Sequence, residues 1–266
     1  MSELARATAL IADPDRQGVH HGEVPDGWQQ GRGAFGGVTV GLLTRAILAT
    51  EADRDRKLRS LTADLCAPLL PGPVEVRASV LRRGKSVTYL DAQLFSGDEL
   101  IARASAALAV PRDVPPIAVR HEPPERPPWR DVAPIPLAPP FAPVFAPKFE
   151  FRATGPFPFT SGPEPLASGY IREKTPPESL DAPAMAGLLD AWWPSIFSIE
   201  SGPRALGTIG FTMQLLVDPA SLPAKDPLYH RARAVGASDN FFVEMRELWS
   251  GDVLVAMNQQ TIALSS

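Results

Sequence analysis

Cysteine is almost absent from this chain, with Cys66 the single example among 266 residues. One thiol excludes an internal disulfide framework and any metal centre built on cysteine clusters, and its place in an apolar run reads as a buried structural group. Histidine is scarce as well. His20, His21, His121 and His230 show no metal-ligand spacing, so neither a metal nor another cofactor is expected. Long apolar runs are missing: nothing approaches the roughly 18 uninterrupted residues of a membrane span. The N-terminus lacks the basic-then-apolar profile of a signal peptide, so the expectation is no membrane partner and a cytoplasmic location. Positive charge is not in excess, and a net charge of −4 spread along the chain leaves no basic stripe for nucleic acid. No serine sits in a Gly-x-Ser-x-Gly elbow, which disfavours an α/β-hydrolase. No phosphate-loop lysine is present, nor a dinucleotide-type glycine pattern following a strand.

What the chain does contain is a repeat of itself. Residues Ser96 to Val110 return as Ser250 to Leu264, with six of fifteen aligned positions identical. Upstream, Gly41-Leu42-Leu43 returns as Gly187-Leu188-Leu189. The two matches stay in order, as a tandem duplication requires, and positions where the copies disagree are where chemistry is to be sought. Between the copies, residues 111 to 147 hold 13 of the 30 prolines and cannot sustain a helix or a central strand. Trp129, Ile135, Leu137, Phe141, Val144 and Phe145, interleaved with these prolines, imply a linker lying on the domain surfaces. The expected domains are therefore 1–110, a linker at 111–147, and 148–266.

In the first copy, Gly31 to Gly37 precede a helix at Val38 to Thr50, with Val38, Leu42, Leu43, Ala46, Ile47 and Ala49 at helical spacing. Runs rich in β-formers follow at 59–67, 74–82, 87–95 and 100–110, joined by Pro-Gly-Pro, Arg-Gly-Lys and Ser-Gly-Asp turns. The second copy reads as strands at 148–153 and 167–173, a helix from about Asp181 to Ile199, then strands at 207–216, 229–237, 241–249 and 254–264. Each copy is thus one long helix against one antiparallel sheet, an α+β fold.

Asp190 is the leading chemical candidate. Its helix is apolar on nearly every side, with Ala186, Gly187, Trp193 and Pro194 three and four positions away, and a lone buried carboxylate is costly unless something hydrogen-bonds it or uses it. The first copy has Thr44 at this position, as expected if one copy alone supplies a base. A capping or salt-bridged aspartate facing a crevice between the copies is the plainer alternative. Thr208 opens the strand after the helix. Gln260 lies in a polar interruption of the last strand, where the first copy has Ala106. Strand alternation allows only one of Gln259 and Gln260 to face a given site, and both amides could instead serve a sheet edge or water. Gly36 and Gly37, at a helix start, could offer unsatisfied backbone N–H groups to an oxyanion, or could simply be turn glycines.

This order of features resembles the double hotdog acyl-CoA thioesterases of the thioesterase II type, over roughly residues 15–111 and 148–266. The resemblance implies two tandem repeats, each with a long central helix wrapped by an antiparallel sheet, the two sheets joining and the acyl-CoA substrate lying between the halves. It implies a water held by Asp190, Thr208 and Gln260 that attacks the thioester, with Gly36 and Gly37 donating to its oxygen. Trp192, Trp193 and Phe211 would line an apolar acyl channel, and a homodimer is implied by the edge-to-edge pairing common among hotdog sheets. Gly210-Phe211 departs from the Asp-His that this family usually carries after the threonine. The alternative is a non-catalytic acyl-CoA or lipid-binding protein using the same crevice.

Overall fold

The computed structural model describes every residue except 116, 118 and 120 of the proline-rich segment and the C-terminal pair 265–266. A short helix α1 (Glu3–Ala7) leads into β1 (Ile11–Ala12), β2 (Val19–Val24) and a small hairpin of β3 (Gln29–Gln30) and β4 (Gly33–Ala34). Helix α2 (Gly36–Thr50) follows, then β5 (Lys57–Leu65), β6 (Gly72–Arg83), β7 (Val87–Ser96) and β8 (Glu99–Ala109). After the proline-rich segment come β9 (Phe149–Ala153), β10 (Leu166–Glu173), α3 (Ala182–Asp190), β11 (Leu206–Leu215), β12 (Leu228–Ser238), β13 (Phe241–Ser250) and β14 (Val253–Leu264). The elements read from apolar periodicity all appear, with ends shifted by a few residues except at the second long helix, which stops nine residues early. α1, β1, β2 and the small hairpin carry no strong period and went unread.

Twelve strands form one antiparallel sheet in the order β1-β2-β6-β7-β8-β5-β11-β14-β13-β12-β10-β9. The two ends of this order mirror each other. At the centre, β5 pairs with β11, and Thr62 lies opposite Thr212. Irregularities recur too: register shifts occur at Leu58/Ser60 and Thr208/Gly210, at Val80/Arg82 and Ala234/Gly236, and at Leu94/Phe95 and Leu248/Trp249. A bulge re-aims its strand locally, so shared bulges place equivalent side chains of the two halves on equivalent faces.

Helices α2 and α3 pack against each other and against one face of the sheet. α2 is buried along almost its whole length, from Gly37 to Thr44 and at Ala46 and Ile47, which is why its sequence is mostly apolar, with Arg45 reaching out to Asp181. α3 begins where the Asp181 carboxylate caps the Ala184 N–H, with Pro183 in the first turn. It ends at Asp190, nine residues long, so the expected long helix to Ile199 does not form. Pro194 supplies the reason: it has no N–H to continue the ladder and disfavours a helical conformation at Trp193. A single 3₁₀ turn over Ser195–Ser198 replaces the rest. The consequence is chemical as well as geometric, because truncation puts Asp190 on the last turn.

Parts of the proline-rich segment pack against the folded strands and helices. Phe145 is buried and stacks on Phe35 at 4.3 Å, Ile135 bridges to Phe151, and the Tyr170 hydroxyl donates to Pro127 O at 2.6 Å. Phe141, by contrast, is almost fully exposed. Cys66 corrects the sequence reading: β5 stops at Leu65, so the thiol falls in the following loop and is exposed. Among the described residues no helix is long and apolar enough to cross a membrane.

The helix pair depends on small residues at its crossing. A Cβ on Gly37 would stand 2.8 Å from Gly187 Cα, and one on Gly187 would collide with the Leu4 side chain. Gly187→Val should therefore destabilise the fold by about 1–3 kcal/mol through overpacking, measured by urea denaturation.

Candidate active site

At the α3 C-terminus the Asp190 carboxylate enters the crossing of the two helices. Its Oδ2 accepts the Gly37 N–H at 2.7 Å, and its Oδ1 accepts Gln260 Nε2 at 2.9 Å. Gln260 Oε1 in turn accepts the Thr208 hydroxyl at 2.9 Å, and the second Nε2 hydrogen goes to Asn258 Oδ1 at 3.1 Å. These contacts gather Asp190, Thr208, Gln260 and the Gly36-Gly37 helix start in one place, drawn from α3, β11, β14 and α2. Strand alternation decides between the two glutamines. Gln260 is buried beside Asn258 on the inner face, and Gln259 points outward.

The two glycines have different tasks. Gly37's N–H, expected to face a substrate oxygen, is taken by Asp190. No partner for the Gly36 N–H is found among the described residues. A Cβ on Gly36 would lie 2.9 Å from Asp190 Oδ2, so only glycine leaves the carboxylate its room.

Of the apolar candidates, Phe211 lies opposite Gln260 in the β11–β14 register and is buried on the same face. Trp192 and Trp193 follow Asp190 in sequence but turn away, toward β9, β10 and β12. Trp192 packs on Phe151 and stacks on His230 at 5.3 Å, and Trp193 stacks on Phe151 and Phe157. They are part of an aromatic layer.

Asp190 is 8 % exposed. Burial pushes its carboxyl pKa above the ordinary value, and the Arg246 charge, the Gln260 amide and the Gly37 N–H each pull back against that rise. Arg246 was not anticipated. Its Nη1 donates to Leu189 O at 2.8 Å and Asp190 O at 3.0 Å, and it stands 3.9 Å from Asp190 Oδ1. Its Nε pairs with Glu244 at 2.6 Å, and Glu244 also accepts the Ser195 N–H at 2.6 Å and the Ser195 hydroxyl. A signal was available in the sequence. Phe242, Glu244, Arg246 and Leu248 share one strand phase, and charges in a phase shared with apolar residues point inward.

The other half has none of this. By the strand registers, Glu244, Arg246, Asn258 and Gln260 correspond to Leu90, Ala92, Ala104 and Ala106, and Thr208 to Leu58. Asp190 corresponds to Thr44, whose hydroxyl donates to Val40 O in its own helix, and Gly37 to Pro183, which has no N–H. Near the corresponding place, where the C-terminus of α2 meets the N-terminus of α3, lies an open pocket of about 220 Å³ lined by leucines such as Leu48, Leu58 and Leu108 and by charged residues such as Glu51, Arg56 and Asp181.

His230, fully buried against Trp192, has no hydrogen-bond partner for either ring nitrogen among the described residues. Burial and the Arg246 charge hold its pKa well below the ordinary value of 6.5. The unfolded chain therefore takes up a proton below pH 6.5 that the folded chain refuses, and stability falls as pH falls through that range. The raised Asp190 pKa acts in the opposite sense, so the effect is isolated by substitution. His230→Leu should flatten the loss of stability between pH 6.5 and 5, by up to about 1.4 kcal/mol per pH unit, in denaturant melts run across that range.

Two family models match the chain, the acyl-CoA thioesterase N-terminal domain over residues 24–109 and the acyl-CoA thioesterase C-terminal domain over residues 111–264. Among solved structures, the chain is similar to a conserved protein of unknown function with a hot dog fold from Alicyclobacillus acidocaldarius, at 24% identity and a TM-score of 0.90, covering 100% of this chain and 99% of that one. It is similar to a candidate thioesterase II from Thermobifida fusca, at 21% identity and a TM-score of 0.85, covering 100% and 98%. It is also similar to acyl-CoA thioesterase II TesB2 from Mycobacterium marinum, at 16% identity and a TM-score of 0.78, covering 98% of each. At these identities the structural likeness establishes the hotdog fold. No curated protein matches the chain.

Proposed function

The chain belongs to the acyl-CoA thioesterase family, and from that premise we propose that it hydrolyses an acyl-CoA thioester with water activated by Asp190, Thr208 and Gln260. The observation that carries this reading is the Asp190–Gln260–Thr208 chain of hydrogen bonds, present in one half and replaced by Thr44, Ala106 and Leu58 in the other. In this reading the molecule is a double hotdog: 1–110 and 148–266 are the two units, one built on α2 and one on the shorter α3, and 111–147 is their linker.

The donor count gives the attacking water its orientation. Thr208 spends its hydroxyl hydrogen on Gln260, and Gln260 spends both amide hydrogens on Asp190 and Asn258. Thr208 and Asp190 therefore meet a water as acceptors, taking its two hydrogens and leaving an oxygen lone pair for the thioester carbon. As that oxygen bonds to carbon, its proton passes to Asp190 and the carbonyl electrons move to the former carbonyl oxygen. The Gly36 N–H, at the start of α2, faces that developing charge. Collapse breaks the carbon–sulfur bond, the proton passes from Asp190 to the thiolate, and a carboxylic acid and a free thiol leave. Phe211 contributes the apolar wall beside Gln260. In this reading the protein is a cytoplasmic homodimer, by the edge-to-edge pairing common among hotdog sheets.

Thiol release from short, medium and long acyl-CoAs tests the proposal. Asp190→Asn should lower kcat about 10²–10⁴-fold with its fold intact, the range of a lost general base. Gln260→Ala should cost less, about 10–100-fold, because the carboxylate keeps the Gly37 N–H. Saturable acyl-CoA binding by the wild type with no turnover on any chain would overturn the hydrolase and leave a binding protein.

A further inference from the structure

Charged side chains that are fully buried and lie outside the Asp190–Gln260–Thr208 chain need a reason to be there, and Glu244 and Arg246 are such a pair, 0 % and 2 % exposed. Replacing a buried ion pair with apolar residues is often neutral or stabilising, and the other half of this chain does so with Leu90 and Ala92. Stability alone therefore does not account for the pair. Its contacts do. Arg246 reaches the backbone oxygens of Leu189 and Asp190, two of the carbonyls that a helix C-terminus leaves unpaired, and so fixes the turn that carries the carboxylate. Glu244 holds the guanidinium from behind and ties it to Ser195, just past the Pro194 that ends α3.

We propose that Arg246, braced by Glu244 and Ser195, is a positioning residue for Asp190, clamping the last turn of α3 and setting the charge that the carboxylate experiences. The inference rests on the thioesterase reading for its kinetic consequences. At 3.9 Å Arg246 is beyond hydrogen-bonding range of Asp190 Oδ1, so it acts on the carboxylate through charge and on the helix end through hydrogen bonds. The groups that face Asp190 are Gly37 from α2, Thr208 from β11, Gln260 with Asn258 behind it from β14, and Arg246 and Glu244 from β13. His230 on β12 stays uncharged beside Arg246. The other charges against α3, Arg45, Asp181 and Glu173, belong to its N-terminal end. Arg246 and Glu244 thus push the Asp190 titration in opposite directions.

That opposition is the test. In the pH profile of kcat/KM, Arg246→Met should move the acid limb to higher pH by about one unit, and Glu244→Gln should move it to lower pH by a fraction of a unit. Arg246→Lys, which keeps charge but cannot span both carbonyls as a fork, should restore the limb while kcat stays about tenfold low, with KM little changed. Glu244→Gln keeps an amide oxygen for the Arg246 Nε and leaves the guanidinium facing the Asp190 carboxylate at 3.9 Å, so it carries the sign of the effect even where Arg246→Met fails to fold. Limbs unmoved in folded variants, or moved in the same direction by both substitutions, would overturn the proposal. So would losses that are uniform across pH. The carboxylic-acid infrared band that Asp190→Asn abolishes reports the same titration without turnover. Opposite shifts of that band in an inactive wild type would keep the positioning role and sink the hydrolase, and a band indifferent to both substitutions would sink the positioning role alone.

Discussion

A carboxylate removed from water needs its lost hydrogen bonds returned from somewhere, and at Asp190 that requirement organises a large part of the molecule. The N-terminus of α2 gives one, the last strand gives another through Gln260, and Arg246 supplies charge from the neighbouring strand. Each donor comes from a different element. All of them must therefore be packed in place together. The glycines at the helix crossing, the early end of α3 at Pro194 and the inward phase of β13 all serve this one group.

The same requirement accounts for how the two halves of the sheet differ. A buried carboxylate without its partners is expensive, and partners without the carboxylate are unpaired polar groups. Thr44 stands with Leu90, Ala92, Ala104 and Ala106, and Asp190 stands with Glu244, Arg246, Asn258 and Gln260. These are two self-consistent sets on one sheet scaffold. A mixture of the two would leave either a bare charge or orphaned amides. Pro183 completes the contrast, since a helix that begins with proline has one fewer donor to offer a carboxylate.

How much of this the sequence disclosed follows from which physical signals are local. The strands of the meanders and both helix starts came from apolar periodicity and turn chemistry, Asp190 and Gln260 from polar residues set in apolar runs, and Thr208 from its place at the start of the strand after the helix. The end of α3 was misplaced because Ala191, Trp192 and Trp193 are apolar and continue the pattern that Pro194 forbids. That Trp192 and Trp193 join the aromatic layer was not legible, because sequence proximity to Asp190 says nothing of which side of a short helix they occupy. Cys66 was placed inside because its neighbours are apolar, and the strand ended one residue earlier. Glu244 and Arg246 were legible in principle, from their strand phase, but reading them required knowing which face of β13 is covered.

A sheet of twelve strands has two outer edges, each a row of backbone donors and acceptors able to recruit strands from other molecules. One edge is β1, only two residues long. At the other, Ile135 bridges to Phe151 on β9, and it lies between Pro134 and Pro136, which have no N–H to offer a newcomer. The proline-rich segment that connects the halves is thus also a guard against polymerisation, and the colloidal behaviour of the protein depends on it as much as its connectivity does.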